Sequence, residues 1–229
     1  MESFRANMIQ QIEKIDKGII FSISDLSFAV DKTPNVCVLL SELSKKGVLK
    51  RFRKGAYYRP NKSLLGLGEL PLFEEAKINF ILQKYNGYIT GAYAYNKLHI
   101  TNQVAHSITI ACSQPLRIKE LSGTSLKFTK AYVKPTAANR SILILLDAIK
   151  DADKIPGLTA VEVLQKIAQI IKGFSLKEIT SLSKLITFYP PRTIHRLCLI
   201  LQKLGYEQQY CTLKQRLNPT SKFSTYQLS

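Results

Sequence analysis

The chain has 229 residues, and its 33 Lys and Arg against 16 Asp and Glu give a formal net charge of +17. With 45% apolar and 21% charged residues it has the composition of one or two folded domains, which excludes a disordered chain. Its four cysteines (Cys37, Cys112, Cys198, Cys211) lie 75, 86 and 13 residues apart, which excludes a disulfide scaffold and any close-spaced zinc or dithiol motif.

Met1 to Gln10 carries Glu2 and no apolar run, so no signal peptide is expected. Apolar stretches such as Ile142 to Leu146 fall far short of a membrane span. The expectation is a soluble cytoplasmic protein with a polyanionic partner, nucleic acid ahead of an anionic membrane surface.

In chain order, Ser3 is expected to cap a first helix to about Asp16, with Phe4, Met8, Ile12 and Ile15 on one face. Lys17-Gly18 ends it. A short second helix is expected from Ser24, with Leu26 and Phe28 inward. Thr33-Pro34 is a start signal, a cap followed by Pro where the missing N–H costs nothing. The third helix then runs to about Lys46, with Val36, Leu39, Leu40 and Leu43 inward and Gly47 as its stop. Val48 to Arg53 and Ala56 to Arg59 are two short strands around Lys54-Gly55, a β-hairpin with a basic tip.

The interval from Glu42 to Glu69 contains no acid and eight cations, Lys45, Lys46, Lys50, Arg51, Arg53, Lys54, Arg59 and Lys62. Such a run is either a solvated face or a polyanion surface. Three helices before a basic hairpin match the winged helix-turn-helix, whose recognition helix enters the major groove. The expected DNA contacts are Lys32 and Thr33 at the N-terminus of the third helix, Val38, Ser41 and Lys45 on its outer face and Asn35 on the flank. In the hairpin they are Lys50, Arg51, Arg53 and Lys54. Asn35 suits a bidentate contact to adenine and Val38 a thymine methyl.

Asn61 to Pro71 is expected to be a linker. Gly66-Leu67-Gly68 lacks the following Lys-Ser or Lys-Thr of a nucleotide loop. A helix is expected over Glu74 to Tyr85, and another from a Thr90 cap to about Leu98. Ser107 to Cys112 alternates as a strand. Leu116 to Leu121 and Ser125 to Val133 form a further pair around Ser122-Gly123. Acids here are confined to Glu69, Glu74, Glu75 and Glu120, too few for paired-carboxylate or metal-nuclease chemistry. Glu75-Ala76-Lys77 imitates the end of a nuclease motif but sits in a helical pattern. His99, His106 and His195 complete no metal set, so no catalytic residue, metal or cofactor is expected. Tyr88, Tyr93 and Tyr95 either stack on bases or fill a core or a domain interface.

The remainder is helical: a helix from Asn139, a capping box at Thr159 and Glu162, a second at Ser175 and Glu178, and a helix opened by Tyr189-Pro190-Pro191 and stopped by Gly205. Arg192 and Arg196 lie one turn apart, as a second basic patch or a solvated pair. Lys214 to Ser229 is polar, with Phe223, Tyr226 and Leu228 as anchors. The expected fold class is α+β. It comprises an N-terminal winged helix-turn-helix (1–62), a small α/β unit with a few strands (63–138) and a C-terminal antiparallel helical bundle (139–229). The alternative division makes residues 63–229 one domain.

The hairpin Gly47-Val48-Leu49-Lys50-Arg51-Phe52-Arg53-Lys54-Gly55-Ala56-Tyr57-Tyr58-Arg59, the segment Thr90-Gly91-Ala92-Tyr93-Ala94-Tyr95-Asn96-Lys97-Leu98 and Tyr189-Pro190-Pro191-Arg192 together resemble the AbiEi-type antitoxins of type IV toxin–antitoxin (abortive-infection) systems. The resemblance runs over nearly the whole chain. It implies a non-enzymatic autorepressor that binds inverted repeats in double-stranded promoter DNA, as a monomer or a weak dimer on DNA. It also implies an antitoxin that counters a nucleotidyltransferase-like toxin without a stable complex. The other readings are a DNA-directed nuclease and an RNA-binding adaptor.

Overall fold

The computed structural model describes residues 4–63, 68–114, 120–121, 124–221 and 223. The fold is α+β, and the chain divides into two units, Met1–Lys84 and Tyr85–Ser229. The expected Ser3 cap, the Ser122-Gly123 turn and the Tyr226 and Leu228 anchors lie outside the described residues. Among the described residues no helix is long and apolar enough to cross a membrane.

In the first unit, α1 (Phe4–Glu13) buries Met8 and Ile12. A strand absent from the sequence expectation follows, β1 (Ile20–Ser22). The expected second helix is replaced by two 3-10 turns, Ile23–Asp25 and Val30–Lys32. The first turn is closed by Asp25, whose carboxylate accepts from the Ser22 amide at 2.6 Å and the Ser22 hydroxyl at 2.8 Å. The second turn feeds directly into α2 (Thr33–Lys45), which buries Val36, Leu39, Leu40 and Leu43. Thr33 is therefore already helical and does not cap the start of α2; it closes the 3-10 turn instead, its hydroxyl donating to the Val30 carbonyl at 2.6 Å.

The hairpin consists of β2 (Lys50–Arg53) and β3 (Ala56–Tyr58), turned at Gly55 with φ +76°, a conformation glycine adopts without a Cβ clash. A register shift between Arg51 and Arg53 makes a bulge at Phe52. β1 pairs antiparallel with β3, so the sheet order is β1-β3-β2. Successive strand residues face opposite ways. Phe21 and Tyr57 join the helix core with Leu49, Val36 and Leu40, while Ile20 and Ala56 face the other side and pack with Phe80. Phe80 comes from α3 (Glu74–Tyr85), which is why most of that helix groups with the first unit. The sheet thus carries apolar groups on both faces.

In the second unit the sheet order is β4-β5-β7-β6, formed by β4 (Tyr88–Thr90), β5 (Ile108–Cys112), β6 (Glu120–Leu121) and β7 (Thr124–Lys130). β5 and β7 are parallel, and the other pairs are antiparallel. Thr90 ends β4 and does not cap α4 (Ala92–Lys97); Gly91 stands at that boundary with φ +74°. The helices are α5 (Arg140–Lys150), α6 (Ala160–Lys172), α7 (Leu176–Leu185), α8 (Pro191–Lys203) and α9 (Glu207–Lys214). α9 was not expected. One core joins sheet and helices, with Tyr88 and Ala111 packed among Leu143, Leu146, Ile167 and Leu197.

Both capping boxes form. The Thr159 hydroxyl accepts from the Glu162 amide at 3.3 Å, and the Glu162 carboxylate accepts from the Thr159 amide at 2.7 Å. Bonds to the Thr159 amide and hydroxyl hold the Glu162 carboxyl below the ordinary carboxylate range. Its contribution to stability is present above that range and is lost as pH falls through the lowered value. Thr159→Ala is expected to cost about 1 kcal/mol at neutral pH. The lost bond from the Glu162 amide to the Thr159 hydroxyl does not titrate and the Thr159 amide bond survives the substitution, so the melts of the two proteins should approach on acidification without converging.

Candidate nucleic-acid interface and a polar cleft

The outer face of α2 presents Asn35, Val38, Ser41 and Lys45 to solvent, and Val38 is 58% exposed. Lys32 is exposed at its N-terminal end and stands 3.6 Å from Asp31. Thr33 is half-buried with its hydroxyl turned inward to Val30. Glu42, on the flank, is paired with Arg5 at 2.6 Å, and that bond holds its carboxyl below the ordinary range.

Within the hairpin, Arg51 and Lys54 are exposed, and Arg53 is half-buried with its guanidinium 5.8 Å from the Phe80 ring centre. Lys50 is exposed but ion-paired with Glu69, which raises its pKa. The acid-free interval of the sequence therefore has an acid at its side in space, because an isolated antiparallel bridge pairs Lys62 with Glu69. Arg59 is also engaged: it donates to the carbonyls of Glu13 at 2.7 Å and Ile15 at 2.9 Å, closing the end of α1.

The second unit contains an open cleft of about 820 Å³. Its floor begins as a row across the sheet, Thr90 beside Thr109 and Thr109 beside Lys127 in strand register, with Thr129 two residues further along β7. Gly91 keeps the row accessible: a Cβ there would lie 3.1 Å from the Thr109 hydroxyl. The other walls are Lys150, Asp151, Asp153 and Lys154 at the end of α5, and Arg192 in the first turn of α8.

Behind this cleft lies a carboxylate that sequence reasoning missed. Asp147 is 2% exposed and accepts from the hydroxyls of Tyr88 at 2.8 Å, Thr90 at 2.8 Å and Tyr189 at 3.1 Å. Lys150 is its cation, at 3.5 Å. Burial first, and the Asp147 charge second, push the Tyr88 and Tyr189 phenols well above their ordinary range. The available signal was an acid inside the apolar run Ile142 to Ile149. Arg196, expected in a basic patch or a solvated pair, is 1% exposed. It donates to the Ile149 and Lys150 carbonyls at 3.0 Å each and pairs with Asp153, so it caps α5. Its role is internal because α8 packs that face against the end of α5. Arg192 stands 3.1 Å from the same carboxylate.

Tyr88 and Tyr95 are buried, whereas Tyr93 is half-buried with Lys97 over its ring at 5.3 Å. His99 and His106 are exposed. All four thiols are free, and burial pushes Cys198 up to about 11. Among the described residues no three His, Cys, Asp or Glu side chains form a group suited to a metal ion.

Residues 7–179 match a family of unknown function, DUF6088. The chain belongs to this family. No curated protein matches the DUF6088 chain. Among solved structures it is similar to the RV2827C protein from Mycobacterium tuberculosis, at 14% identity and a TM-score of 0.48 over 96% of this chain and 84% of that one.

Proposed function

We propose that this DUF6088 protein is a cytoplasmic DNA-binding autorepressor and the antitoxin of a type IV toxin–antitoxin system of the AbiEi type, and that it is not an enzyme. The first unit is a winged helix-turn-helix, with α2 as the recognition helix and β2-β3 as the wing. The helices of the second unit form an antiparallel bundle.

The observation that carries this reading is the first unit's exposed surface. α2 displays a hydrogen-bonding Asn35, an apolar Val38 and basic ends, and the hairpin displays Arg51 and Lys54. A helix of 13 residues with such a face suits the major groove, where Asn reads adenine and an apolar group reads the thymine methyl. The hairpin cations suit phosphates, which position the protein without reading sequence. Two copies on an inverted repeat account for operator symmetry. The antitoxin role, against a nucleotidyltransferase-like toxin and without a stable complex, rests on the family resemblance of the hairpin and the two tyrosine-containing segments.

A mobility-shift titration with the protein's own upstream region tests the reading. Preference over random duplex by about three orders of magnitude or more is expected; equal affinity for both overturns it. Asn35→Ala should relax discrimination at a single base position by about 1–3 kcal/mol and leave the others intact.

A further inference from the structure

The cleft of the second unit is lined by no residue of α2 or the hairpin, and it is a built polar cavity. Four cations line it, Lys127, Lys150, Lys154 and Arg192, against two carboxylates, Asp151 and Asp153. Both carboxylates are held between cations. Asp151 lies 3.6 Å from both Lys150 and Lys154, and it also accepts from the Tyr95 hydroxyl at 3.0 Å. Asp153 lies between Arg192 and Arg196. Four cations less two acids leaves two positive charges on the lining. Behind the wall stand one further cation, Arg196, and one further carboxylate, Asp147, which leave that sum unchanged.

Packing fixes Lys150 and the start of the helix that carries Arg192. The ammonium of Lys150 is 5.3 Å from the centre of the Tyr132 ring, which stacks on Tyr189 at 4.5 Å. Tyr189 is anchored on Asp147. The chain from Asp147 through Tyr189 and Tyr132 thus sets the place of Lys150, and Pro190 and Pro191 set the start of α8 that carries Arg192. Opposite them stand Lys127 and the hydroxyl-bearing Thr109 and Thr129 of the sheet. The first turn of α8 adds the positive end of a helix dipole.

We propose that this cleft binds a small phosphorylated metabolite. Its phosphate, carrying about two negative charges at neutral pH, would sit among Lys127, Lys150 and Arg192. Hydroxyls of Thr109 and Thr129 would supply further hydrogen bonds. The cavity volume exceeds that of a phosphate ion and falls in the range of ligand sites, so the group is an ester of about mononucleotide size. This inference stands independently of the DNA-binding reading.

The test is calorimetric titration of the full chain with AMP, pyrophosphate and adenosine. AMP and pyrophosphate should bind at least tenfold more tightly than adenosine, and Lys127→Ala should weaken both by about tenfold or more. Lys127 is exposed on β7, so this variant should fold, and an unchanged melting temperature verifies that. Arg192→Ala provides a second substitution on the opposite wall and should weaken AMP likewise. Adenosine binding as well as AMP would overturn the proposal, as would AMP affinity unchanged in Lys127→Ala. Loss of AMP binding in an Arg51→Ala, Lys54→Ala double variant would place the ligand on the hairpin instead. A 5′-phosphorylated oligonucleotide binding far more tightly than AMP would assign the cleft to a nucleic-acid end and equally overturn it.

Discussion

Replacing Arg51, Arg53 and Lys54 together with alanine is expected to lower affinity for every duplex, promoter or random, by about two to three orders of magnitude at roughly 0.1 M salt. Phosphate neutralisation releases counterions, so log affinity falls with log salt at about 0.9 per contact. Lys32, Lys45, Lys46, Arg51, Arg53 and Lys54 supply about six contacts, which sets a slope near −5. The triple variant should retain about half of that slope, and the ratio of promoter to random affinity should change little. Lys50 is left out of the count because Glu69 already neutralises it. Glu69→Gln should therefore release Lys50 and steepen the slope by about one. Arg53 also covers Phe80, so the triple variant should be compared at matched folded fraction by thermal melting. A salt slope unchanged by the triple substitution would mean that the hairpin does not contact phosphate.

The elements with strong local signals could be read from sequence, and those defined by distant pairing could not. α2 follows from Val36, Leu39, Leu40 and Leu43 at helical spacing and from Pro34 in the first turn. The boxes at Thr159 and Ser175 mark two helix starts, because each side chain has its partner three residues away. β1 is three residues long, too short to display a period of two, and becomes a strand only through Ile20 opposite Tyr58. β4 is equally short, and Thr90 imitates a helix cap because its hydroxyl's true partner, Asp147, is far along the chain. α9 buries only Leu213, so its apolar pattern is weak.

The same distinction governs the sites. Exposure along α2 follows from rotating the helix about its buried stripe, so Asn35, Val38, Ser41 and Lys45 were accessible to reasoning. That Lys50 meets Glu69 and Arg59 meets the end of α1 depends on tertiary closure, which local spacing does not encode. The charge run overstated the cations available to a polyanion for that reason. Arg196 shows the opposite error: a helical spacing suggested a surface pair, and the end of α5 turned one member inward.

Asp147→Ala is expected to destabilise the second unit strongly. The carboxylate is buried, and its removal leaves the Tyr88, Thr90 and Tyr189 hydroxyls without their common acceptor and Lys150 without one of its anions. Breaking a buried charged network from one side costs about 3–5 kcal/mol, since the partners stay desolvated. For a chain of this size that lowers the melting temperature by roughly 10 °C. Asp147→Asn keeps the shape and one acceptor oxygen, and should lose about half as much. Alkaline titration gives a second readout. The folded phenol pKa values of Tyr88 and Tyr189 are raised, so their contribution is full below the ordinary tyrosine range and is lost as pH rises above it. These phenols should ionise only as the wild-type unit unfolds, seen as a phenolate absorbance step coincident with loss of ellipticity. Because Asp147 joins β4, α5 and the segment leading into α8, a variant melting within about 1 kcal/mol of wild type would mean that the apolar core alone fixes those elements. Lys150 and Arg192 would then hold their places in the cleft without the carboxylate behind them.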